Sequence, residues 1–326
     1  MMRNPCSAIG GPSLRERPER LNGSGPGHPG PSQGPGGRPE TAGPGGLRAS
    51  GVRGAYHRAP LRLVSYDRRG HRRLGAILGG GGGGRPDRVV DLPDLVGHPA
   101  FPTTLEALVA ASGGTVLDAA VAALEGDEAE AFVVDRPRLL SPLFPRTLRS
   151  PDARPGERRV LGPGDEIPWP PGAAWLDYEP KVVAVLGGWG RPLEGAKPGL
   201  RVLGYTLAND WSARDASGDP SPAPTVPPIA LGPCLVTADE VEPQTLFLTA
   251  RVAGEVVAKG NLNGAARDLL ALLAYLARTE GLGRGDAVAI SPFPGAGPGR
   301  QLWPSAEVDL EAEGFGVLAN RIGRRA

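Results

Sequence analysis

The stretch Gly204-Tyr205-Thr206-Leu207-Ala208-Asn209-Asp210-Trp211-Ser212-Ala213-Arg214-Asp215 decides how this chain is read. The lead-in from Val202 to Leu207 has the apolar, β-prone content of a strand, and Asn-Asp followed by Ser-Ala-Arg-Asp reads as a turn. Upstream lies a second segment, Leu176-Asp177-Tyr178-Glu179-Pro180-Lys181-Val182-Val183-Ala184-Val185-Leu186-Gly187, which brings the acid Glu179 to the start of a strongly β-prone run.

Working outward, a chain of 326 residues that is 40% hydrophobic can bury one large core or two smaller ones. A formal charge of +1 gives no general attraction to nucleic acid or acidic lipid. With no apolar run of about eighteen residues to span a bilayer, the expected address is the cytoplasm. Cys6 and Cys234 are too far apart in sequence to imply a disulfide framework or a zinc cluster, and Cys234 reads as a buried small hydrophobe. Arginine is abundant while lysine stands only at 181, 197 and 259, so the place of each lysine is informative.

Residues 1–56 are rich in Gly, Pro, Ser and Arg and cannot bury enough apolar area to offset the entropy of ordering, so a disordered tail is expected. Glu16, Glu19 and Glu40 interrupt its arginines, which argues against a nucleic-acid-binding arm. Order begins near Pro60. Leu61 to Tyr66, Leu74 to Leu78 and Val89 to Leu92 read as a β-meander. The glycine run Gly79–Gly84 is followed by Arg85-Pro86 instead of Lys-Ser/Thr and a helix, so it reads as a hairpin loop. Two short helices follow, the first capped by Thr103 or Thr104 ahead of Leu105, Leu108 and Val109, the second carrying Leu117, Val121 and Leu124. Residues 57–138 are thus expected to form a small cap domain.

From 139 to 326 the pattern is Pro-punctuated strands with one late helix, expected from about Gly264 to Thr279 with Asn263 as its cap and Leu269, Leu272, Leu273 and Leu276 as its buried stripe. Strands are expected at Val202–Leu207, Leu235–Thr237, Leu246–Val252, Glu255–Val257 and Ala287–Ile290, with Ala253-Gly254 as a turn. The order argues for an α+β fold, mainly antiparallel β, with a roll or sandwich core.

These segments resemble the fumarylacetoacetate hydrolase family over roughly residues 60 to 323. Asn209 to Asp215 is similar to its Asn-Asp-x-Ser-Ala-Arg-Asp signature and Leu161-Gly162-Pro163-Gly164-Asp165 to the loop before its metal strand. Leu231-Gly232-Pro233, Gly285-Asp286 and Glu311 to Asn320 resemble later landmarks in the same order. The resemblance implies a β-roll core, often dimeric, and hydrolysis, decarboxylation, hydration or tautomerisation of 2-oxo or 1,3-dicarbonyl acids with Mg²⁺ or Mn²⁺ as Lewis acid. In that family two carboxylates at alternate strand positions and a third from a neighbouring strand hold the cation. The implied ligands here are Glu179 and Asp210, and the second Glu of the pattern is Lys181. An ammonium there removes a ligand and repels a cation by several kcal/mol at about 4 Å.

Other parts of the implied machinery are also altered. No histidine lies between Arg146 and Val160, where the resemblance implies a His-x-x-Glu base; Glu157 is a candidate remnant acid there, and an arginine-rich linker is the preferred reading. The Gln that follows Ser-Ala-Arg-Asp is Ser217, no lysine precedes Leu231, and the Thr-Gly-Thr loop reads Ile290-Ser291-Pro292. The resemblance leaves Glu179, Asp210, Arg214 and Ser291 as the retained set, with Lys181, Arg214 and Ser291 as catalytic candidates and Arg214, Ser217 and Ser291 as substrate-binding ones. A structural alternative pairs Asp210 with Arg214 in a turn where Asn209 and Ser212 satisfy backbone groups. The preferred reading makes Lys181, Glu179 and Asp210 an ion-pair triad in which the ammonium replaces the cation; a Schiff-base lysine is the other option. The expectation is therefore a member with a weakened or lost metal site, inactive or retuned, binding a small carboxylate or pairing as a homodimer or with an active paralogue. The alternative is an active metal-dependent C–C bond hydrolase or decarboxylase with an atypical site.

Overall fold

The computed structural model describes residues 61–78, 88–111, 114–151, 159–221, 226–239, 241–265, 268–295 and 301–325, all within the compact unit Ala55–Ala326. The tail expected over 1–56, the Gly79–Gly84 run, Cys6, His28, His57 and Glu157 lie outside the described residues. No helix among the described residues is long and apolar enough to cross a membrane.

The first strands, β1 (Arg62–Arg68), β2 (His71–Ile77) and β3 (Val89–Asp91), form the expected meander. Helices α1 (Leu92–Val96), α2 (Leu105–Ala110) and α3 (Thr115–Leu124) follow. Thr104 caps α2 by accepting from the Ala107 N–H at 3.3 Å, and Leu105, Leu108 and Val109 face the core. Short pieces punctuated by proline come next: β4 (Val133–Val134), β5 (Leu139–Leu140), β6 (Thr147–Arg149), β7 (Val160–Leu161) and β8 (Glu166–Ile167).

Two long strands then form the backbone of the molecule, β9 (Trp175–Gly187) and β11 (Arg201–Arg214), with β10 (Arg191–Pro192) between them in sequence. They are antiparallel neighbours over their whole length. After β12 (Ile229–Thr237), β13 (Leu248–Val252) and β14 (Glu255–Gly260) turn at Ala253-Gly254, both at positive φ. Helix α4 (Leu269–Thr279), β15 (Asp286–Ile290), β16 (Glu307–Ala312) and β17 (Gly316–Ile322) complete the chain. The larger sheet runs β4-β3-β2-β1-β12-β11-β9-β15-β6 and the smaller β14-β13-β16-β17-β8, so residues from 57–138 share a sheet with β9 and β11. The fold is α+β with mostly antiparallel pairs, as expected from the order of elements.

Two expectations are corrected. The late helix begins at Leu269, with Asp268 accepting from the Ala271 N–H at 2.8 Å, because the chain first makes a single tight turn at Leu262–Gly264. The residues Asn209 to Arg214 are strand, because pairing with β9 supplies partners for every residue from Arg201 to Arg214 apart from a local bulge.

Period-two alternation assigns the two faces of β9 and β11. Tyr178, Val182, Ala184 and Leu186 with Leu207, Trp211 and Ala213 join a core shared with β13, β16, β17 and α4. Val183, Val185 and Ala208 face the other way, against Leu105, Leu108 and Leu117 of α2 and α3. Asp177, Glu179 and Lys181 continue that second row on β9, and Asp210 continues it on β11. The apolar cover thus gives way along one sheet face to charge.

Candidate active site

The antiparallel register places Asp210 directly opposite Glu179, Ala208 opposite Lys181 and Ser212 opposite Asp177. Two carboxylates facing each other across a ladder repel. Lys181, two residues along the same face, relieves this: its Nζ lies 3.1 Å from Glu179 Oε2 and 3.6 Å from Asp210 Oδ2. The small Ala208 opposite leaves room for the side chain to lean over. Lys181 is fully buried.

Two serines complete its surroundings. Ser291, just beyond β15, accepts from Nζ at 3.1 Å, and Ser150, just beyond β6, at 3.3 Å. With Glu179, these acceptors use the three N–H bonds of an ammonium. Each attraction to an acid is roughly 5 kcal/mol at an effective dielectric of 20, against a desolvation cost of several kcal/mol, so the charges are balanced more than strongly bound.

Toward solvent the face opens into a cleft of about 610 Å³ lined by Asp177, Glu179, Arg214 and Ser291 on one side and by Ala265 and the Pro292–Gly295 loop on the other. Arg214, the last residue of β11, donates from Nη2 to Asp177 Oδ2 at 3.1 Å and lies 4.0 Å from Glu179 Oε1. Its Nε is buried with no partner. Asp177 also accepts from the Tyr178 N–H. The loop wall is close-packed: a side chain at Gly295 would collide with the Tyr178 carbonyl oxygen.

The structure thus brings together Glu179, Lys181, Asp210, Arg214 and Ser291, and sets Ser217 apart. Ser217 stands in an exposed turn where the Asp215 carboxylate accepts from the N–H groups of Ser217 and Asp219, so its side chain is not in the cleft lining. The alternative turn pairing is likewise replaced: Arg214 reaches Asp177, and Asn209 is fully buried with both side-chain polar atoms unpartnered. His71 and His98, on the N-terminal segment, are exposed and are not in the cleft lining. Asp177 and Ser150 were not singled out from sequence. The signal for Asp177 is its alternation with Glu179 and Lys181; Ser150 has none, since only the sheet order β9-β15-β6 brings the end of β6 near Lys181.

Whether a divalent cation fits can be asked of these donors. Glu179 and Asp210 converge, but the point between them holds an ammonium hydrogen-bonded to Glu179. A divalent ion about 4 Å from that charge would be repelled by roughly 8 kcal/mol at an effective dielectric of 20. Among the described residues no three His, Cys, Asp or Glu side chains converge as a metal-ligand group. The described residues of the site, with an ammonium between the two acids, do not fit the divalent ion that the resemblance implies.

The fold and sequence have known relatives. The human mitochondrial oxaloacetate tautomerase FAHD2A is 33% identical over 176 residues, which are 50% of this chain and 55% of that protein; the bovine mitochondrial FAHD2A is 32% identical over the same length. The chain spans about half the length of the curated relatives it matches. Maleylpyruvate hydrolase from Sphingobium sp. SYK-6, solved in complex with manganese(II) and pyruvate, shares the fold at a TM-score of 0.60 and 20% identity, covering 81% of this chain and 100% of that one. Fumarylacetoacetate hydrolase from Exiguobacterium antarcticum superposes at 0.58 with 21% identity and the same coverage. The fumarylacetoacetate (FAA) hydrolase C-terminal family matches residues 155–323, which hold β9, β11 and Lys181, Glu179, Asp210, Arg214 and Ser291. With more than half of its length matched and the fold shared, the chain belongs to the fumarylacetoacetate hydrolase family.

Proposed function

We propose that this protein is a metal-independent member of its family, in which the cleft binds a small carboxylate and the hydrolase, decarboxylase or isomerase chemistry on 2-oxo or 1,3-dicarbonyl acids is lost or retuned. The observation that carries this reading is the position of Lys181 Nζ, fully buried and within 3.1–3.6 Å of Glu179, Asp210 and Ser291. A fixed internal cation there neutralises the acids but has no vacant coordination positions, so it cannot chelate a 2-oxo acid as a metal ion does. Among the described residues Arg214 is then the cation lining the cleft, held by Asp177 and with its Nε unpartnered. Its planar fork suits a carboxylate. Ser291 borders the same space. The proposal includes a cytoplasmic address and association as a homodimer or with an active paralogue.

The test is turnover of oxaloacetate and of acylpyruvates by the full chain, in EDTA and then with Mg²⁺ or Mn²⁺. The reading predicts no metal-dependent activity in either series. Turnover that appears on adding metal and disappears with EDTA would establish the alternative, an active metal-dependent C–C bond hydrolase or decarboxylase.

A further inference from the structure

Gly260 is a glycine that its own backbone does not require. It ends β14, opposite Leu248 of β13, and its φ lies outside the left-handed region. A glycine in a strand weakens it and marks a close approach by another group. Here that group is Phe293: a Cβ on Gly260 would stand 2.8 Å from the ring's Cδ1, about 1 Å short of ordinary carbon contact. Phe293 belongs to the loop that walls the cleft, and its ring also packs against the main core. The loop backbone has little freedom to yield. Pro292 and Pro294 restrict it on either side of Phe293, and Gly295 already abuts the Tyr178 carbonyl oxygen. The seat of the ring, and with it the width of the cleft at this wall, is therefore set by the space that Gly260 leaves.

From this we infer that the cleft takes a carboxylate carrying an aromatic tail, with the tail laid on Phe293 and with Gly260 as the positioning residue that keeps its place open. The inference rests on the carboxylate reading above and adds the other half of the ligand. A cleft of about 610 Å³ lies in the range that encloses a drug-sized ligand, and a pyruvate-sized acid fills only a small part of it. Arg214 and Ser291 stand on one wall, while Ala265, Pro292, Phe293 and Pro294 make the facing wall apolar. An aromatic ring set against Phe293 and the two prolines buries area that a tailless acid lacks. Gly260 touches no ligand and acts through where it lets Phe293 sit. No covalent step is implied.

The test is isothermal titration of the full chain in EDTA with three probes: 3-phenylpropionate, propionate and 3-phenylpropanamide. The phenyl acid is expected to bind at least about tenfold more tightly than either of the others. Gly260→Ala drives the ring into the cleft and should weaken the phenyl acid about tenfold while leaving propionate within about twofold. In a Phe293→Ala background the same substitution should have no effect on either acid, since the ring it displaces is gone. Should Gly260→Ala not fold, the order of the three probes and the loss of the phenyl preference in Phe293→Ala decide the matter. Propionate binding as tightly as the phenyl acid overturns the tail site alone, as does a Gly260→Ala loss shared equally by both acids, which marks a purely structural role. An amide that binds as tightly as its acid, or the failure of both acids to bind at millimolar concentration, overturns the carboxylate reading and this inference with it.

Discussion

Replacing Lys181 by methionine keeps the length and apolar stem of the side chain and deletes its charge. What remains is Glu179 directly opposite Asp210 in the β9–β11 ladder, with Asp210 almost fully buried and the Lys181 charge gone from beside them. The cation lost lay 3.1 and 3.6 Å from the two acids. Removing one partner of a buried ion pair costs about 3–5 kcal/mol, since the charge left behind is still desolvated. Ser150 and Ser291 also lose a donor. The single variant should therefore be about 3–5 kcal/mol less stable at neutral pH. The triple variant Lys181→Met, Glu179→Gln, Asp210→Asn should regain most of that loss, because it also removes the two carboxylates that the ammonium compensates. Urea unfolding followed by tryptophan fluorescence reads both, with the buried Trp175 and Trp211 on the two strands concerned as reporters. A change under about 1 kcal/mol in the single variant, typical of exposed ion pairs, would refute the charge-compensation argument.

Further tests lie outside the triad. Asp91 is buried, which raises its pKa, but donors from Arg73, Tyr66 and the Asp94 N–H outweigh this and hold the carboxyl below the ordinary range. Its contribution is thus present above the unfolded-state value near 4 and lost as pH falls through the lower folded-state value, so Asp91→Asn should flatten the acid limb of the stability profile and cost about 3 kcal/mol at pH 7. Asp309 shows the opposite sign. Burial and the flanking Glu307 and Glu311 raise it, so stability falls as pH rises through its folded-state value, and Asp309→Asn should stabilise by roughly 0.2–1 kcal/mol at neutral pH and not at pH 3. Gly295→Ala should displace the loop wall from the Tyr178 carbonyl and weaken binding of any cleft ligand more than it lowers the melting temperature, as read by titration beside thermal unfolding.

Much of the frame was legible because it depends on patterns inside single segments. The β-prone run from Leu61 to Tyr66, the threonine cap before Leu105 and the positive-φ turn at Ala253-Gly254 each announce their own element. The two halves of the charged triad were also legible, since Glu179 and Lys181 lie two apart on a strand and so share a face. What was not legible depends on partners distant in sequence. Asn209, Asp210 and Ser212 are turn formers by local preference, yet a complete ladder with β9 holds them extended. Ser217 matches a binding position by sequence order, but Asp215 closes the turn around it and turns it out to solvent. The start of α4 moved because Asp268, also hydrogen-bonded by Gln244, is the residue that satisfies the first turn.

The central claim is that an internal ammonium occupies the place of the family's cation. Calorimetric titration of Mn²⁺ into the parent and into Lys181→Glu tests it most directly, because the substitution restores a carboxylate two residues after Glu179 and removes the repelling charge. The account predicts no saturable binding by the parent at millimolar Mn²⁺ and a gain of at least roughly a hundredfold in the variant, well within the 8 kcal/mol or so of repulsion removed. Micromolar Mn²⁺ binding by the parent, abolished by Asp210→Asn, would contradict it.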